Sequence, residues 1–198
     1  MLLGTDIILL QESDNDKEMK RLYSSLAEHF HQIRQRFSIR DLPSVHAGSS
    51  ELQEKVGTLL KSYLILQQNL AADNEKVAKE AGAALVPLTD ILLKALRKTE
   101  EKEAGSLADR LAEGVKGLAA AKTLADVRTA FYPYSQTVIE TVETFGSNDQ
   151  TSWFVHFCPM AFGNAGATWL APSEEINNPY FGSMMLRCGD VRKQLTQE

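Results

Sequence analysis

The chain has 198 residues, 43% hydrophobic and 24% charged, with a formal net charge of −5. This is the balance of a soluble globular protein long enough to bury a real core, one domain plus an appendage, without disulfide support. The acidic excess and the lack of any Lys/Arg block argue against nucleic acid as a partner, because binding it needs a basic surface that displaces counterions.

The opening "MLLGTDIILL" resembles a secretory signal only superficially. It has no basic n-region, Asp6 breaks its apolar run, and no small-residue cleavage site follows. No run of about 18 apolar residues exists, so no direct membrane span is expected. Residues 1–50 read as an N-terminal extension. Within it Met19, Leu22, Leu26, Phe30, Ile33 and Phe37 mark an amphipathic helix over about 17–37. His29 and His31 on that segment do not share a helix face. Pro43, Gly48 and the serines of residues 38–50 read as a linker.

Residues 51–146 read as a four-helix block. Ser50-Glu51-Leu52-Gln53 has capping-box spacing, and Leu52, Val56, Leu59, Leu60, Tyr63, Leu66 and Leu70 then form one face. Asp73-Asn74 makes a turn and caps a second helix, whose apolar face is Val77, Ala81, Ala84, Leu85, Leu88, Ile91, Leu92 and Ala95. A weaker third helix is expected from Ser106 to about Ala121, with Asp109 at the capping-box position. Thr123–Asp126 opens a fourth, with Val127, Phe131, Tyr134, Val138, Val142 and Phe145 inward and Gly146 as its stop. Short connections favour a mainly α fold, an antiparallel four-helix up-down bundle. Pro87 and Pro133 fall inside the second and fourth helices and are expected to kink them.

Residues 147–198 hold seven of the fifteen aromatic residues. So aromatic a segment is expected to pack on the helices as a Gly/Pro-rich cap of the same domain, with a short strand or hairpin at Trp153–Phe157 and turns beyond. If residues 153–160 are extended, His156, Cys158 and Met160 point the same way. The second cysteine, Cys188, follows Met184 and Met185, so the two cysteines and three of the five methionines gather at the ends of one loop. Thiolate and thioether donors suit Cu(I) better than hard ions. A closed zinc site lacks its fourth ligand, since only Cys158, Cys188 and His156 are to hand. Two other readings stay open. A Cys158–Cys188 disulfide closes a loop worth on the order of 3 kcal/mol, and the thiols can equally be inert and buried. A catalytic Cys158–His156 pair is disfavoured, because no nucleophile motif surrounds it and Pro159 removes an amide that could serve an oxyanion hole.

The tail has a family likeness. Cys158-Pro159-Met160-Ala161, Gly166-Ala167 with Trp169-Leu170, Ile176 with Asn178–Gly182, and Met185-Leu186 with Cys188-Gly189 resemble the C-terminal signature of a bacterial domain of unknown function. That domain occurs in envelope proteins and fused to heavy-metal efflux adaptors (membrane-fusion proteins) of copper/silver-type pumps. Upstream, Arg128, Phe131 and Ser135 match the family's Arg-x-x-Phe-x-x-x-Ser stretch. The likeness runs over about residues 51–191. It implies a helical bundle with this capping tail, a periplasmic or cell-envelope setting, and a link to heavy-metal, chiefly copper, efflux. The implied partners are a metal ion and an efflux adaptor or other envelope protein. The family positions carry over to Cys158, Met160, Met185 and Cys188, whereas Met184 is an extra methionine and His156 lies outside the pattern. The expectation is a non-enzymatic, extracytoplasmic Cu(I)-binding domain. Its ligands are Cys158, Met160, Met185 and Cys188, with Met184 and His156 as further candidates. Trp169, Tyr180 and Phe181 are expected to shape and dry the site. The alternative is a structural or protein-interaction module stapled by a Cys158–Cys188 disulfide.

Overall fold

A serine side chain ahead of an apolar periodic run satisfies one of the orphan amides of a helix start. Ser49 does this in the computed structural model, which describes residues 49–149 and 151–195. Its side chain accepts from the Leu52 amide and opens α1 (Ser50–Ala71). The expected box at Ser50 and Gln53 therefore lies one residue off: Gln53 instead donates its side-chain amide to the carbonyl of Phe145, the last residue of the fourth helix. The expected helix at 17–37, with His29 and His31, and most of the linker lie outside the described residues.

Asn74 caps α2 (Glu75–Leu96), accepting from the Val77 amide. Its buried face runs through Ala78, Ala81, Gly82, Leu85, Thr89, Leu92, Leu93 and Leu96. That face is rotated from the expected one, leaving Ala84 and Ile91 exposed. Gly82 and Thr89 explain the difference. They are small or polar yet buried, and the Thr89 hydroxyl meets the buried Tyr134 hydroxyl at 2.9 Å. α3 (Ala104–Ala120) starts two residues before the expected point, behind Glu103, which makes no side-chain cap. Asp109 is inside this helix and pairs with Arg97 at 3.6 Å. α4 (Leu124–Phe145) has the full capping box of Thr123 and Asp126 and stops at Gly146.

Both α2 and α4 run unbroken through their prolines. Pro87 and Pro133 are exposed, as are Ala83 and Thr129 four residues upstream. The carbonyls that lose an amide partner thus reach solvent, which lowers the cost of an interior proline. Consecutive helices pack on one another, as in a bundle, and one continuous core joins them to the tail.

The tail forms a three-stranded antiparallel sheet of β1 (Trp153–Cys158), β2 (Ala167–Ala171) and β3 (Asp190–Leu195), in the order β2-β1-β3. The short turn α5 (Ala161–Asn164) links β1 to β2, and a 3-10 turn, Gly182–Met184, precedes β3. The expected strand or hairpin is present as β1 with β2, and the third strand, β3, stands where the sequence reads as turns. β2 is apolar at nearly every position and shows no alternation. β3 reads Asp-Val-Arg-Lys-Gln-Leu and lies mostly exposed, an edge strand blunted by charge.

The other edge, β2, lies against α4 and α1. Its outward groups are satisfied by a chain of hydroxyls. The Leu170 amide donates to the Tyr63 hydroxyl at 3.0 Å, which meets the Ser135 hydroxyl at 2.6 Å. Ser135 and Tyr180 then both donate to the Thr168 carbonyl, at 3.1 and 2.6 Å. Since that carbonyl only accepts, Ser135 spends its proton there and accepts a hydrogen bond from the Tyr63 hydroxyl, so every link has one direction. Burial pushes the Tyr63 and Tyr180 phenols well above their ordinary pKa, keeping them neutral donors.

Candidate functional site

The two cysteines come together. Cys158, the last residue of β1, is fully buried, and its Sγ lies 3.3 Å from the Sγ of Cys188. Both thiols are free, and Cys188 is only half-buried. The hydrogen bond with Cys158, and then burial, hold the Cys188 thiol above its ordinary pKa.

This meeting is built by the turn at Asn178, a fully buried residue whose polar groups are all engaged. Its Oδ1 accepts from the amides of Tyr180 and Phe181, at 2.8 and 3.2 Å. Its Nδ2 donates to the Cys188 carbonyl at 2.8 Å, and its own amide donates to the Leu186 carbonyl at 2.9 Å. One side chain therefore folds the Asn-Pro-Tyr-Phe-Gly turn and ties Cys188 to it. Gly189, next in the chain, has φ +139°, and a Cβ there would sit 2.8 Å from the Phe157 carbonyl and 3.1 Å from Trp169. Only a bare backbone passes this close to β1, and that passage delivers Cys188 beside Cys158.

A second anchor lies at the α1–α2 turn. Arg128 donates to the Pro179 and Leu70 carbonyls, both at 2.8 Å, and to Asp73 at 2.6 Å. Asp73 in turn accepts from the Ser183 amide at 2.8 Å. Hydrogen bonds from Ser183 and Arg128 hold the Asp73 carboxyl down at about 2. Gly182, at φ +57°, leaves no room for a Cβ between Asp73 and Arg128. Gln67 adds a bond of 2.8 Å to the Asn177 carbonyl.

The remaining candidates are arranged as follows. His156 shares a sheet face with Cys158 and is fully buried, crossed edge-on by Trp169 with ring centroids 5.3 Å apart. Neither ring nitrogen has a well-formed hydrogen bond. Burial lowers the pKa of His156, against a smaller opposing pull from the Ser173 backbone. Among the described residues no three His, Cys, Asp or Glu side chains converge as a metal group, so His156 does not complete one with the two thiols. Met160 does not continue the alternation of β1. The strand ends at Cys158, and Met160 takes helical dihedrals with 48% of its surface exposed. Met184 is 77% exposed, while Met185 is half-buried and its carbonyl accepts from the Cys188 amide at 3.0 Å. Trp169 is fully buried against Tyr180, centroids 5.9 Å apart, and Phe181 is half-buried against the core. Phe162, at φ 51°, lies over Tyr132 and Tyr180 at 4.8 and 5.4 Å.

Asn178 and the Asp73–Arg128 pair are the organising residues that sequence reasoning missed as such. Asn178 and Arg128 stood inside quoted motifs, but nothing in the spacing announced that each bonds several backbone groups.

Residues 59–150 match a family described as protein of unknown function (DUF3347). The match covers the bundle from within α1 to the end of α4, and stops short of the tail that carries both cysteines. No curated protein and no solved structure matches the chain. Among the described residues no helix is long and apolar enough to cross a membrane.

Proposed function

We propose that this chain is a binding module, not an enzyme, that takes up a soft monovalent metal ion, Cu(I), through Cys158 and Cys188. The observation that carries the reading is the 3.3 Å separation of two unbridged thiols on a pinned backbone. With metal–sulfur bonds of about 2.3 Å, a tetrahedral angle sets two sulfurs roughly 3.8 Å apart. A modest rotation of the half-buried Cys188 side chain supplies that opening. The donor chemistry favours copper. Zinc asks for four ligands of the Cys, His or carboxylate kind, whereas Cu(I) is content with fewer and softer ones. Met160, two residues past Cys158, and Met185, three before Cys188, are the thioethers within chain reach. The more exposed Met184 and the buried His156 rank behind them.

The ion is cargo, and the protein's part is to hold it at the paired thiols, beside the buried Trp169 and Tyr180. The likeness of the tail to domains fused to heavy-metal efflux adaptors supports a place in the cell envelope. There an adaptor or another envelope protein would exchange copper with it by thiolate ligand transfer.

Anaerobic titration of reduced protein with Cu(I) against a competing chelator tests the reading. Wild type should bind one equivalent tightly, and the double variant C158S/C188S none. M160L and M185L should bind more weakly with the stoichiometry kept. No uptake by reduced wild type, or equal uptake by the double variant, would overturn it.

A further inference from the structure

The same two thiols differ sharply in access, and that difference assigns them separate roles. We propose that Cys188 is a site of thiol–disulfide exchange and Cys158 its resolving thiol, so that a small-molecule or protein disulfide converts the pair to an intramolecular disulfide. Cys188 is half-buried and follows a turn, whereas Cys158 is fully enclosed at the end of β1. An external disulfide therefore reaches Cys188 first. Its thiolate attacks one sulfur of the donor, R–S–S–R, forming a mixed disulfide and expelling one RS−. Cys158 then attacks Sγ of Cys188, and its proton passes to the thiolate that it displaces there. The second RS− leaves, and both leaving groups take up protons. Two protein thiols are oxidised by two electrons, the donor disulfide is reduced to two thiols, and the sum balances.

Geometry favours the second step over arrest at the mixed disulfide. The sulfurs start 3.3 Å apart and need to close to about 2.05 Å. Both backbones are already held, Cys158 by the β1–β2 register with Ala167 and Cys188 by Asn178 and the Met185 carbonyl. Ring closure thus competes with the outside world at high effective concentration. Cys188 is the thiol that outside reagents meet, and Cys158 the one that only Cys188 meets. If the copper reading above holds, the oxidised form has no thiolates to offer, and uptake of the ion and formation of the bond exclude each other. The exchange step itself rests on the thiols alone.

The test uses reduced, metal-free full chain incubated with excess oxidised glutathione under argon and followed by intact mass. Wild type should lose two hydrogen masses and both titratable thiols, with no lasting glutathione adduct. C158S should stop as a stable adduct on Cys188. C188S, checked for folding by circular dichroism, should react at least tenfold more slowly while native and at the ordinary rate in denaturant. A lasting adduct on wild type, or native C188S reacting as fast as C158S, would overturn the assignment. The wild-type measurement decides ring closure even if either variant fails to fold. Failure of copper uptake by reduced protein would leave these outcomes untouched, so the two proposals fall separately.

Discussion

At the scale of single residues, the histidine beside the thiols illustrates how burial acts through protons. The His156 pKa is lowered in the folded chain, chiefly by burial, from an ordinary value of 6.5. The unfolded chain then binds more protons than the folded one just below that value. Stability is full above about pH 6.5 and is lost as pH falls toward the folded pKa. Thermal melts should show Tm falling from pH 7.5 to 5.5, and H156F should flatten that fall. A wild-type Tm that holds level or rises over this range would contradict the burial argument. Asn178 works by hydrogen bonds instead. N178A would leave the Tyr180 and Phe181 amides and the Cys188 carbonyl without their partner. Unsatisfied buried groups cost about 1–3 kcal/mol each, partly relieved by water, so urea unfolding should show a loss of roughly 3 kcal/mol. On the copper proposal N178A should weaken uptake too, because Cys188 loses its tether. A loss under about 0.5 kcal/mol would mean that the turn holds itself.

At the scale of elements, the helices were legible because burial imposes a 3.6-residue period on a long window. Every residue expected on the inner faces of α1 and α4 is buried. The period failed in α2, where Thr89 and Gly82 are inside, because a count of apolar residues cannot see a threonine satisfied by a tyrosine or a glycine admitted for space. Of the strands only β1 was legible, although none of its residues is exposed. β2 is sandwiched, and its sequence gives no alternation. β3 is charged and mostly exposed, so it carries no apolar alternation to read. Bringing Cys158 and Cys188 together was legible as a possibility of loop closure, yet Asn178, Gly189 and the Arg128 clamp, which decide it, act through backbone contacts that leave no periodic trace. The edge of β2 gives a sharp check. Y63F removes the acceptor of the Leu170 amide and the donor to Ser135, and should cost about 1–3 kcal/mol. Amide exchange at Leu170 should quicken with it. Unchanged protection there would show that the hydroxyl chain is dispensable.

At the scale of the whole molecule, the tail is tied down at three places that lie far apart in sequence: Asp73–Arg128 at one turn, Tyr63–Ser135 under β2, and Asn178 under Cys188. None of these ties involves a thiol, so the fold does not depend on what the thiols bind. On the copper proposal a soft ion would meet a site that is already shaped, and its binding free energy would appear as added stability rather than as folding from a disordered state. Mass action sets the size: a ligand at a hundredfold over its Kd stabilises by about 2.7 kcal/mol. Silver(I), an air-stable soft ion, serves as the probe. Reduced wild type should show a Tm that rises with silver, and that past one equivalent goes on rising only with the logarithm of the free ion. C158S/C188S should melt near the metal-free wild type and ignore silver. Oxidised wild type should ignore it as well, since its sulfurs are spent on each other. The three melts together separate a site from a scaffold: a scaffold alone predicts that silver shifts none of them, and a site predicts that only the reduced dithiol responds.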